Sequence, residues 1–196
     1  MKMASRMKRT FCLAAGSEES KIFAIGTYRF MACSVNVDVD RAYTYMRERL
    51  MENFMPTALI AENISRLVVH CADTPDDESL DARAIHDMHL GFGWHGIGYH
   101  WVICRDGTLQ SGRPEYWVGA HVKGHNEISL GVCLIGRRHF TDAQMQSLKA
   151  LLMRWRAEYP DAEICGHCDF DYTEKTCPNF DVAAWCAAQG ITAKAG

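Results

Sequence analysis

Residues 65–71, SRLVVHC, form a short apolar run rich in β-branched side chains, which predicts a buried central strand. In SLDARAIHDMHLGFG, Leu80, Ala84, Ile85 and Met88 recur at helical spacing and glycines close the segment, so a helix follows the strand. GYHWVICRDGTLQSGR then alternates aromatic and aliphatic residues up to Asp106-Gly107, a strong hairpin signal. ISLGVCLIG reads as another buried strand. TDAQMQSLKALLMRWRAEYP opens on a capping box, Thr141 with Gln144, and puts Met145, Leu148, Leu152 and Trp155 on one face before Pro160. AEICGHC reads as a last strand, and DVAAWCAAQG as a terminal helix between Asp181 and Gly190. Strands and helices interleave around a tight hairpin, which predicts an α/β domain with a central mixed β-sheet flanked by helices.

The first part of the chain is patterned more weakly. SVNVDV alternates as a strand does and DRAYTYMRERLMENF is amphipathic as a helix, but no motif there carries chemistry. Residues 1–60 are read as an extension of unassigned role and residues 61–196 as the catalytic domain. Met51 and Met55 leave a later translation start open.

Composition narrows the class. The 196 residues are 48% apolar and 23% charged, ordinary for one well-cored domain. The formal charge of −3 comes with no basic stripe, so nucleic acid is not an expected partner. Nine cysteines, an odd number lying in apolar runs, fit a reducing compartment better than a disulfide framework. No run approaches the roughly 18 apolar residues that span a bilayer. FCLAAGS, after four basic residues, falls short of a signal-peptide core, so no cleaved leader is expected.

The chemistry concentrates in AEICGHCDFDYTEKTCPNFD, residues 162–181. Cys165-Gly-His-Cys168 has the spacing of a redox dithiol, but it sits in an expected strand near the C-terminus and is followed by Asp169 and Asp171, which raise rather than lower a thiol pKa. On a strand, His167 and Cys165 share a face and Cys168 takes the other. A metal site is the competing reading: His70 at the end of the first core strand, His167, and Cys177 before Pro178 are zinc-type donors. Each alone reads equally well as a structural histidine or a small core cysteine. His86 and His89 are three apart on the first helix but lack a third ligand, and solvent exposure is expected for them. His121 and His125 lie in a Gly-containing loop where helical pairing fails. No HExxH, phosphate loop or G-x-S-x-G elbow is present.

RLVVHCADTP, GFGWHGIGYHWVICRDGTLQSGRP, VGAHVKGHNEISLGVCLIG, FTDAQMQSLKALL and KTCPNFDVAAW, in that order over residues 65 to about 188, together resemble the type 2 zinc N-acetylmuramoyl-L-alanine amidases, the domain shared with peptidoglycan recognition proteins. The similarity is to the small phage lysozyme branch. It implies the fold of that family, Zn²⁺ as cofactor, and hydrolysis of the amide between the lactyl group of N-acetylmuramic acid and L-alanine in peptidoglycan. It implies His70, His167 and Cys177 as metal ligands, Tyr99 and Lys175 as catalytic residues, and His121 and Asn126 at the substrate cleft, Asn126 more as a loop-shaping residue. Ten positions separate His167 from Cys177, more than phage members of the family often have. Synthesis in the cytoplasm and action on the cell wall after release also follow from the resemblance. Some members of that branch bind an RNA polymerase, and no residue here speaks to that role. Relatives that bind muropeptides without hydrolysing them are the main rival reading, and a redox enzyme is the third.

Overall fold

In a computed structural model, residues 56–171, 173–174 and 176–194 are described. The expected strand SVNVDV, the expected helix DRAYTYMRERLMENF and Lys175 lie outside the described residues.

Five strands, β1 (Arg66–Cys71), β2 (Trp101–Ile103), β3 (Leu109–Ser111), β4 (Ser129–Leu134) and β5 (Glu163–Gly166), form one sheet in the order β3-β2-β4-β1-β5. All pairings are parallel except β2 with β3, so the sheet is mixed, as expected. The exception is the hairpin. Its turn pairs Cys104 with Thr108, and Gly107 at φ 86 takes the left-handed position of a three-residue loop, where a side chain is disfavoured.

The helices α1 (Ala82–Gly91), α2 (Asp142–Glu158) and α3 (Val182–Ala188) start at the N-caps Asp81, Thr141 and Asp181. Thr141 and Gln144 make the full capping box. Leu148, Leu151, Leu152 and Trp155 of α2 pack against Leu67 and Val69 of β1 and Leu130, Val132 and Leu134 of β4. Each such fully buried side chain stabilises the fold by about 1.5–3 kcal/mol. On the opposite face Ile85 of α1 packs with Ile97, Val102 and Ile135. Alternation along β1 therefore sends Leu67 and Val69 to the α2 core and leaves Val68 and His70 for the other face.

Residues 57–59 also join this body: Thr57 C=O accepts from Val118, and Leu59 donates to Tyr116. One sequence expectation fails. The last strand ends at Gly166, and residues 167–169 form a single 3-10 turn, so strand alternation does not place Cys168.

Candidate metal centre

Parallel sheets offer a crevice at the carboxyl ends of their strands. His70 is the fifth residue of β1, and His167 is the first residue beyond β5, the strand hydrogen-bonded beside it. Cys177 is brought to the same place by a loop closed at its base, where Cys168 N–H donates to the Cys177 carbonyl at 2.8 Å. The donor atoms of His70, His167 and Cys177 all lie within 4.8 Å of one another.

The set fits zinc. Bond lengths of 2.0–2.1 Å to nitrogen and 2.3 Å to sulfur put tetrahedral N and S ligands about 3.6 Å apart. His70 Nδ1 and Cys177 Sγ are 3.9 Å apart, and the His70 and His167 rings meet edge-on at 4.7 Å. His70 and His167 are buried, at 1% and 8% exposure. Two imidazoles and one thiolate are the borderline-soft donors zinc takes, and three protein ligands leave a fourth position open.

The surroundings hold two of the three donors, Cys177 and His70. Cys71 N–H donates to Cys177 Sγ at 3.2 Å. The Cys71 side chain beside it and burial push the Cys177 thiol up. Asn179, at φ 69, donates through Nδ2 to the Arg137 carbonyl at 2.8 Å and to Cys71 Sγ at 3.4 Å, pinning the turn after Cys177. His70 Nε2 lies 3.0 Å from His121 Nδ1. Tyr99 flanks the centre, its ring 5.0 Å from that of His70, and burial raises its phenol well above the usual value.

His121 is 9% exposed, and its hydrogen bond runs to His70. Asn126 shapes the loop, its Oδ1 accepting the N–H groups of His121 and Val122 at 2.8 and 2.9 Å. The solvent exposure expected of His86 and His89 is corrected. Their Nδ1 atoms accept from the backbone of Ile97 and Gly98, so both histidines organise the segment that leads into Tyr99.

Cys165 and Cys168 are not in the donor cluster. Cys165 packs with Val68, Val122 and Phe170, and burial pushes its thiol up to about 12. Cys168 faces Asp169 at 3.6 Å, and burial and that carboxylate raise its thiol too. A redox dithiol needs the opposite shift.

Sequence reading missed Asn179, His100 and Glu115. A Cys-Pro-Asn turn is the signal for the first. His100 is fully buried, accepting from Gly131 N–H and bonding the Trp117 carbonyl. Glu115 accepts from the indoles of Trp101 and Trp155 and from Arg154.

The family model described as N-acetylmuramoyl-L-alanine amidase matches residues 61–180. The endolysin of Escherichia phage T7 is 40% identical over 132 residues, covering 63% of this chain and 86% of that protein. Among solved structures, the N-acetylmuramoyl-L-alanine amidase LysC from Clostridium intestinale URNW aligns with a TM-score of 0.59 at 31% identity, over 71% of this chain and 95% of that one. The bumblebee peptidoglycan recognition protein SA shares the fold, with a TM-score of 0.60 at 23% identity over 68% of this chain and 85% of its own. The motifs, the mixed sheet and these matches agree: the chain belongs to the type 2 N-acetylmuramoyl-L-alanine amidase family, which includes the peptidoglycan recognition proteins, near the phage lysozymes.

Proposed function

We propose that this chain is a zinc-dependent N-acetylmuramoyl-L-alanine amidase that cleaves the bond between the lactyl group of N-acetylmuramic acid and L-alanine of peptidoglycan, with residues 61–196 as the catalytic domain. The observation that carries the reading is the convergence of His70 with His167 and Cys177, about a hundred positions later in the chain, within 4.8 Å.

A zinc ion held there supplies an activated water, whose pKa falls from 15.7 to roughly 7, and a Lewis acid for the amide carbonyl. The protein contributes the rest. Tyr99, kept protonated by burial, is a hydrogen-bond donor beside the centre for the oxygen that gains charge. Lys175, two residues before Cys177 in the sequence, is the cation this reading assigns to the same developing charge. Cys71 N–H and His121 hold the ligands Cys177 and His70 in place, which leaves less reorganisation for the reaction.

The partners that follow are the glycan lactyl group and the stem peptide. Among the described residues no helix is long and apolar enough to cross a membrane. Action on the cell wall after release is part of the same proposal.

Digestion of purified peptidoglycan followed by mass spectrometry tests it. Free stem peptide is expected with zinc, none after chelation, and recovery when zinc is restored. Binding of muropeptides without release under any metal condition overturns the catalytic reading in favour of a recognition module.

A further inference from the structure

We propose that His121 is a positioning residue for His70, accepting its Nε2–H and so fixing the tautomer that leaves the His70 Nδ1 lone pair facing Cys177. This rests on the metal reading above, because ligation is what gives that lone pair its use.

The two nitrogens of His70 face different partners. Nε2 is 3.0 Å from His121 Nδ1, and Nδ1 is 3.9 Å from Cys177 Sγ. A neutral imidazole carries one proton. With that proton on Nδ1, His70 has no lone pair to offer a cation beside Cys177. With it on Nε2, the ring donates to His121 and presents Nδ1 to the centre. Ligating histidines ordinarily give their second N–H to a carboxylate, carbonyl or water. Here the acceptor is another imidazole, whose own proton then lies on Nε2, a buried atom with no hydrogen-bond partner among the described residues. The arrangement favours holding His70 over satisfying His121.

The placement of the His121 ring is built into the sheet. A Cβ at Gly119 would stand 2.5 Å from His121 Cδ2, and one at Gly131 would stand 2.7 Å from its Cε1 and Nδ1. Neither glycine has a left-handed φ, so the ring and not the backbone requires them. Gly131 lies within β4, where glycine otherwise weakens a strand. Asn126 Oδ1 holds the backbone from which the ring projects, through the His121 and Val122 N–H groups.

The test compares the wild type with His121→Phe, His121→Asn and Gly131→Ala. Zinc affinity is read by competition with a chromophoric chelator, and the His70 tautomer by long-range proton–nitrogen NMR, assigned with a His70→Gln control. Phenylalanine keeps a ring without an acceptor, whereas asparagine keeps an oxygen near the Nδ1 position. His121→Phe and Gly131→Ala are expected to weaken zinc binding about 10–100-fold and to abolish the single Nε2–H form of His70. His121→Asn is expected to recover most of both. Wild-type affinity in His121→Phe with an unchanged His70 tautomer overturns the positioning role and leaves the metal reading standing. Failure of the wild type to bind zinc overturns the metal reading, and this one with it. Should the variants fail to fold, the zinc-loaded wild type decides: a proton on His70 Nδ1 overturns the proposal.

Discussion

The backbone N–H of Cys71 donates to Sγ of Cys177 at 3.2 Å, joining positions 106 residues apart. Cys71 follows His70 in β1, so this bond fixes one donor by the strand that carries another. An N–H aimed at sulfur favours the thiolate over the thiol. In Cys177→Ser the amide keeps an acceptor, but the soft ligand is gone. Elemental analysis is expected to show well under one equivalent of zinc, and turnover should fall on the order of 100-fold or more. A fully active serine variant without metal would remove Cys177 from the ligand set.

The role proposed for Lys175 separates chemistry from metal binding. It stands two positions before Cys177 in the sequence, and a protonated amine is not a zinc-type donor. A preorganised cation at a developing oxyanion is worth about 3 kcal/mol, so Lys175→Ala is expected to lower kcat on the order of 100-fold while zinc content stays at the wild-type level. Equal loss of zinc in Lys175→Ala and Cys177→Ser, by the same elemental analysis, would contradict the assignment.

Glu115 gathers groups from distant parts of the chain. Its Oε1 accepts from Trp101 Nε1, Trp155 Nε1 and Arg154, and Trp155 is fully buried in the core beneath α2. Removing the acceptor strands indole N–H groups at a cost of about 1–3 kcal/mol for each that stays buried. Urea denaturation of Glu115→Ala should show a loss of about 2–4 kcal/mol, and of Glu115→Gln a smaller one, because the amide oxygen still accepts. Losses of equal size would point to packing instead of hydrogen bonding.

Much of this architecture is legible in the chain because it is local. The run LVV at β1, the Thr141–Gln144 box and the Asp-Gly turn each depend on neighbours within a few positions, and the structure has each of them. The candidate metal donors are a different case. Spacing alone left His70, His167 and Cys177 as one alternative among several, and the ordered motifs of the family singled them out. What stayed hidden is pairwise and distant. The partner of His121 is 51 positions away, and the donors to Glu115 come from two places, Trp101 and the adjacent Arg154 and Trp155. Periodicity cannot show where a strand stops, so Cys168 was assigned to a face of a strand that ends at Gly166. The buried side of His89 was equally invisible, because a backbone N–H from Gly98 and not an apolar neighbour accommodates its nitrogen.

His100 predicts how stability depends on pH. Its Nδ1 accepts from Gly131 N–H at 2.9 Å and its Nε2 lies 3.0 Å from the Trp117 carbonyl, so the folded protein needs the neutral ring. Burial pushes its pKa down from 6.5 to about 4. Below the unfolded value the unfolded chain takes up a proton that the folded chain refuses, so stability is whole above pH 6.5 and falls as pH drops toward 4. At 1.36 kcal/mol per pH unit the loss reaches about 3 kcal/mol at the lower end. His121, buried and lowered in the same direction, adds to it. His100→Gln cannot titrate yet offers an acceptor and a donor. Chemical denaturation at pH 7, 5.5 and 4.5 should find the variant less stable at pH 7 but less sensitive to acid. The two curves should converge by up to about 1.4 kcal/mol per pH unit. Parallel curves would show that His100 is protonated in the folded protein and that its two backbone bonds do not hold it neutral.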